Sequence, residues 1–454
     1  MKANQPAIQA AIRVLCERMF TTLVMLVLAC TLSACGGSGG GSSDSDSDVS
    51  GSGVKGPLVN ATVNVYEFDS AATDFIGTLI DSGETDQTSA ITGITLTPVA
   101  GQVVVLEIIA DGDTTDLTTG AAPIITRLLT VVTSADLVAN PVFPSPLTTV
   151  AFRLAGARGD SPTAPYAGDN NGTLSGQEML AAFVVASRQV NSTLGFGMPA
   201  EQNLNATPPL ITAATVTNTE QLSAAQYRTG IEALAAVIAN MQAESETNNV
   251  NTAATPDRLL AGLAEDLIDG QIDGRNNGVS IAVFVDITNV ATQVTVDPAT
   301  LVIPNTNPPI NVSDVEDVLV SEKSSTGATT STTNLENDTV SHNPAPARTE
   351  PDSDDDGVLD KNDNCQTVAN PGQENNDGDA LGDACDPDRD GDGTNNDDDA
   401  FPDDPNEQFD SDNDGIGNAA DDDDDGDKVP DVDDAFPLDP TESQDMDEDG
   451  VGNN

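Results

Sequence analysis

Histidine occurs once in the 454 residues, tryptophan not at all, and aromatic residues make up only 3%. A Ser-His-Asp triad, a Cys-His pair or a histidine zinc site would each have to use His342, which lies in a Ser/Thr/Asn/Pro-rich stretch. Basic residues are scarce as well. Sixteen Lys and Arg stand against 75 Asp and Glu, for a formal net charge of -59. No basic stripe exists to neutralise phosphates, so nucleic acid is not expected as a partner. With so few aromatics, any core must be built from Val, Ile, Leu and Ala. Gly159-Asp160-Ser161 lacks the flanking glycines of a nucleophile elbow and reads as a loop. No residue set points to an enzyme, although two-carboxylate chemistry leaves no sequence signature by which to exclude it.

What the chain has in abundance is aspartate, and its distribution is regional. Roughly half of the acidic residues follow Pro351, where only Lys361, Arg389 and Lys428 oppose them. They keep a register. Counting Asp352 as position one, Asp354, Asp356, Asp360 and Asp363 fall at positions three, five, nine and twelve, with Gly357 at six. The pattern returns as Asn375, Asp377, Asp379, Asp383, Asp386, and as Asp388, Asp390, Asp392, Asn396, Asp399. It returns again as Asp410, Asp412, Asp414, Asn418, Asp421, as Asp423, Asp425, Asp427, Asp431, Asp434, and finally as Asp445, Asp447, Asp449, Asn453. Starts are separated alternately by about 22 and about 13 residues, a unit of about 35. Oxygen side chains at alternate positions of a tight loop suit a hard cation such as Ca²⁺, with a carbonyl at position seven (Val358 in the first loop). Ala380 and Lys428 replace the turn glycine of two loops, which should distort or weaken them. The last loop stops before position twelve, so the chain reads as a fragment with an incomplete final site.

The residues from Asp352 to Asp386, followed by Asp398–Pro402 and Asp433–Pro437, both reading Asp-Asp-Ala-Phe-Pro, resemble thrombospondin type 3 repeats of bacterial surface proteins. The resemblance implies a segment with little regular secondary structure wrapped around Ca²⁺, a Cys365–Cys385 disulfide, and a part in cell adhesion.

At the other end, Lys2, Arg13 and Arg18 precede an apolar Met19–Leu32, as in an export signal. Leu32-Ser33-Ala34-Cys35 resembles a bacterial lipobox, which implies lipidation of Cys35 and anchoring to a membrane. Gly36 in place of aspartate suits the outer membrane, facing the periplasm or the cell exterior. The expected organisation is multidomain: signal peptide 1–34, Gly/Ser/Asp tether 35–52, a small antiparallel β-sandwich at 53–134, an α-helical domain at 141–278, β-hairpin strands at 279–303, a disordered linker at 304–350, and the repeats at 351–454. Strands are expected at Ala61–Phe68, Phe75–Ile80, Ala90–Leu96, Gln102–Ile109 and Ile124–Val132. Helices are expected at Pro146–Ala155, Gln177–Leu194, Ser223–Met241 and Pro256–Leu267. Gly53–Phe68 resembles the opening of carboxypeptidase-regulatory-like or immunoglobulin-like modules, which implies a spacer.

One further loop carries a partial EF-hand pattern. Asp169, Asn171 and Glu178 fall at positions three, five and twelve, but Ala167 stands where the first carboxylate belongs. It reads either as a weak calcium loop or as a polar connection between helices. The sequence as a whole predicts a calcium-binding, lipid-anchored surface protein with a surface protein or glycan as partner. Alternatives are an acidic disordered spacer and an extracellular enzyme or glycan binder whose active domain is missing or unrecognised.

Overall fold

The structure, a computed structural model, describes residues 47–452 apart from 163–164, 167, 249–253, 338–341, 343 and 447–449. The expected signal peptide, Cys35 and the first part of the expected tether lie outside the described residues.

Nine strands open the described chain: β1 (Ser47–Asp48), β2 (Leu58–Val59), β3 (Thr62–Phe68), β4 (Ile76–Thr85), β5 (Ile91–Thr92), β6 (Thr95–Leu96), β7 (Val103–Ile109), β8 (Thr115–Asp116) and β9 (Arg127–Thr133). Five of them form one antiparallel sheet in the order β5-β4-β3-β7-β9. β7 is almost entirely buried, as its run of β-branched and aliphatic residues requires of an interior strand. The end of the expected tether joins this fold: β1 pairs with β6, and Val49 is buried.

Helices follow at α1 (Ser134–Ala139), α2 (Pro146–Arg158), α3 (Gly176–Leu194), α4 (Asn218–Asn248) and α5 (Pro256–Asp266). α2 is central and packs against β9, α3, α4 and α5. Its start is fixed by a capping box between Ser145 and Thr148, with Pro146 in the first turn, where a missing N–H costs nothing. Gly156 on this helix gives room to the Phe75 ring, since a Cβ there would sit 2.1 Å from Phe75 Cε2. Phe75 in turn stacks on Phe68 at 5.9 Å and meets Phe152 edge-on at 6.1 Å. These contacts correct the expected sandwich. The sheet is covered by helices rather than by a second sheet, because its apolar side chains and those of α2 are buried in one contiguous core. Asp46–Asn454 forms one compact unit.

Two more segments differ from expectation. Within 279–303 the only strand is β11 (Val279–Ser280), paired with β10 (Arg275–Asn276). Beyond it the alternating residues fold into short helical turns, including α6 (Val290–Val294), started by Asn289, whose side chain accepts the N–H of Thr292. The described residues of the expected linker 304–350 are folded onto the body. The segment contains α7 (Val315–Glu322) and α8 (Thr333–Glu336), and it buries Val312, Val315, Val318 and Leu319. Its few apolar residues are concentrated at helical spacing, which an averaged composition hides. The N–H groups of Ala345 and Arg348 then bond to the carbonyls of Phe196 and Thr193 at the end of α3, leading the chain to the acidic segment.

Candidate calcium array

Residues 351–446 contain almost no helix or strand, yet their hydrogen bonding repeats loop after loop. The position-three Asp Oδ1 accepts the N–H of position five in the loops starting at 352, 375, 388, 410 and 423. The position-five Oδ1 accepts the N–H of position seven in all five. The position-twelve Oδ1 accepts the N–H two residues on, again in all five. Each carboxylate thus spends one oxygen on the backbone, in an Asx-type turn, and its other oxygen is aimed by that bond.

Position nine does something else. Asp360, Asp383, Asn396, Asn418 and Asp431 each turn Oδ1 back to accept the N–H of position two, at 2.7–3.0 Å. These side chains, placed among the metal-facing residues by spacing alone, brace the loop. Asn serves as well as Asp because only one neutral acceptor is needed.

In the loops starting at 352, 388, 410 and 423, several second oxygens at the remaining positions are buried without partners. They include Oδ1 at position one (Asp352, Asp388, Asp410, Asp423), Oδ2 at three (Asp354, Asp390, Asp425), Oδ2 at five (Asp392) and Oδ2 at twelve (Asp363, Asp399, Asp434). Asp352, Asp354 and Asp356 bring one oxygen each within 4.8 Å of one another, as do Asp377, Asp379 and Asp386, then Asp388, Asp390 and Asp392, and Asp410, Asp412 and Asp414. An orphaned buried carboxylate oxygen is costly, and several held close together favour a cation between them. Hard oxygens in that number fit calcium. Of the last loop, Asp445 accepts the N–H of Gly450 at 2.8 Å, while Asp447, Asp449 and Asn453 lie outside the described residues.

Positions four and six take left-handed backbone, as at Asp355 and Gly357 or Gly391 and Gly393. Lys428 occupies position six at φ 80°, and it still donates its N–H to Asp423 Oδ2 at 3.0 Å. The loop keeps its shape and bears the strain. Lys428→Gly should therefore stabilise the calcium-loaded chain by about 1 kcal/mol, measurable as a raised urea midpoint. Ala380 does not adopt this conformation. In its loop the Asn375 side chain accepts the N–H of Gly378, at position four, instead.

Cys365 and Cys385 form a disulfide with Cα atoms 5.7 Å apart, joining the ends of the first two loops. The first loop and the turn after it dock on α3 and the chain that follows it: Gln189 Nε2 donates to Asp360 Oδ2 at 3.0 Å, Arg188 Nη1 to the Thr367 carbonyl at 2.8 Å, and the Ala200 N–H to Asp355 Oδ2 at 2.9 Å.

Burial, with the neighbouring charges of Asp356, Asp363 and Asp352 adding to it, pushes Asp354 up to about 6, and Asp390 and Asp425 are raised with burial again the first cause. An aspartate of folded pKa about 6 against about 3.9 when unfolded binds its proton more tightly in the fold. In chelator, the stability this group contributes is complete below about pH 4 and is lost as pH rises through about 6. Calcium reverses the trend, since it competes with that proton for the same oxygens. Urea midpoints in chelator should rise from pH 7 to pH 5 while calcium affinity falls; parallel trends would contradict this.

The loop at 168–178 behaves differently. Asp160 approaches Asp169 and Glu178, supplying a third carboxylate from outside the motif. Its oxygens, however, accept the N–H groups of Asn171 and Gly172, and those of Glu178 accept the N–H groups of Asp169 and Ser175. These bonds, Ser175 foremost, hold Glu178 down at about 2. Asn171 Oδ1 caps Thr173. Carboxylates so engaged close a loop and cap α3. His342 is buried between Thr229 and Glu316, where its two ring nitrogens are bonded.

Residues 350–373 match the thrombospondin type 3 repeat family. A stretch of 42 residues is 60% identical to cartilage oligomeric matrix protein of Mus musculus, covering 9% of this chain and 6% of that protein. The likeness thus covers only a small part of either protein. What it establishes, together with the converging carboxylates, is a thrombospondin type 3 segment whose ion is calcium.

Proposed function

We propose that this chain is an exported, lipid-anchored surface protein in which calcium stiffens the C-terminal array into a stalk or adhesive segment. The role is structural rather than catalytic. The observation that carries it is the set of unpartnered carboxylate oxygens converging at one repeated register. A disordered acidic spacer would have no reason to brace position nine on position two in five successive loops. Anchoring rests on Cys35 and its flanking residues, and among the described residues no helix is long and apolar enough to cross a membrane. Extracellular calcium modules fill at about 10⁻⁴ to 10⁻³ M, so the sites would load only after export. The partner would be a surface protein or a glycan.

In cells making the full chain, labelled fatty acid should enter the wild type and not Cys35→Ser, and attachment to surfaces should fall on chelation. Recovery of the wild type in the cytosol would sink the export reading. Undiminished attachment in chelator would sink the adhesive one.

A further inference from the structure

A second group of charges lies far from the array, inside the main body. Lys55 follows Val54 in the turn leading to β2, and its side chain is 1% exposed. Its Nζ lies 3.2 Å from Asp116 Oδ2 on β8 and 2.9 Å from Glu232 Oε2 on α4. Asp116 is 1% exposed and Glu232 not at all. The crowding is close enough to need a glycine: a Cβ on Gly56 would sit 1.8 Å from Asp116 Oδ1. That Oδ1 accepts the N–H of Thr118 at 2.8 Å. Glu232 is held from its far side, where Oε1 accepts Arg228 Nε at 2.9 Å, and Arg228 pairs with Glu322 on α7 at 2.8 Å.

A primary amine, a carboxyl group and a second carboxylate sharing the amine proton, all removed from water, are the components of an amide condensation. We propose that Lys55 and Asp116 become joined by an intramolecular isopeptide bond, with Glu232 as the proton carrier. Glu232 Oε2 takes a proton from the ammonium, which frees the Nζ lone pair. Nζ bonds to Asp116 Cγ while the Thr118 N–H stabilises charge on Oδ1. Oδ2 receives the protons shed by Nζ through Glu232, and the Cγ–Oδ2 bond breaks. One water leaves, one amide remains, and no oxidant or cofactor is required. Arg228 keeps Glu232 oriented at either end of the step.

Two physical terms favour the product. Holding the two groups in contact replaces a bimolecular encounter, an advantage reaching about 10⁵–10⁸ M in effective concentration. Condensation also removes two buried charges, whose desolvation the ion pair must otherwise bear. Burial lowers the Lys55 pKa, but Glu232 and Asp116 outweigh it and raise the pKa on balance, so the ion pair is the starting state and the proton must be carried away. The finished bond would tie the beginning of the sheet to β8 across the whole of β3, β4 and β7.

The test is a peptide map of the full chain after folding, denaturation and cleavage at glutamates. Glu67, Glu84 and Glu107 lie between the two residues, so an unlinked chain yields separate linear peptides. The expected wild-type product is a branched peptide joining the one ending at Glu67 to the one beginning at Ile108, lighter than their sum by one water. Trypsin should also fail to cut after Lys55. In Glu232→Gln, checked for folding by circular dichroism, formation of the branch should be slowed by about 10²–10⁴-fold. Lys55→Met should abolish it. Separate peptides from the folded wild type would overturn the bond, whatever the variants do. A branch formed equally fast in folded Glu232→Gln would overturn the carrier role.

Discussion

With millimolar calcium the segment after Pro351 should resist protease, and with excess chelator it should be cut throughout while the sheet and helices stay intact. The size of the effect follows from linkage. At calcium one- to tenfold above the dissociation constant, each site adds about 0.4–1.4 kcal/mol, so five sites add about 2–7 kcal/mol. Little else stabilises the segment. Phe409, Val432, Leu438 and Met446 are exposed, and residues 351–446 contain almost no helix or strand. Removing the ions also restores repulsion among carboxylates already short of partners. Limited proteolysis followed by mass spectrometry reads both halves of the expectation at once.

The second large effect belongs to the Cys365–Cys385 bridge. Replacing both cysteines by serine should cost the first two loops about 3 kcal/mol, the loop-closure entropy of a link between residues 20 apart. The loss should be local. Loops starting at 388, 410 and 423 lie beyond the bridge, and their calcium affinities should change little. Docking of the first loop on α3 should keep Asp352–Asp363 partly ordered, leaving the loop at 375 as the most damaged. Calcium titrations of wild type and double variant, followed by hydrogen exchange resolved to each loop, distinguish this from a uniform weakening.

The array was legible in the sequence because its information is local. A carboxylate at every second position and a turn residue at position six lie within a dozen residues, and the backbone geometry they need follows from short-range sterics. The same holds for β3, β7 and β9 and for α2 to α5, whose periodicities mark the elements. What could not be read depends on partners distant in the chain. Position nine looks like a ligand by composition, and only the fold shows it turned to the position-two N–H. Lys55, Asp116 and Glu232 are brought together across 61 and 177 residues. The segment 304–350 looked like a linker because its sparse apolar residues acquire a helical face only against α4. Nothing in the sequence indicated that Gln189 and Arg188 would receive the first loop.

Counting bound ions tests the central idea most directly, namely that cations occupy the place of an apolar core in the acidic segment. Titration calorimetry of the full chain should give about five calcium ions, one for each braced loop from 352 to 423, with binding coupled to protection of those loops from hydrogen exchange. One ion or none, or five ions bound without any change in protection, would contradict it.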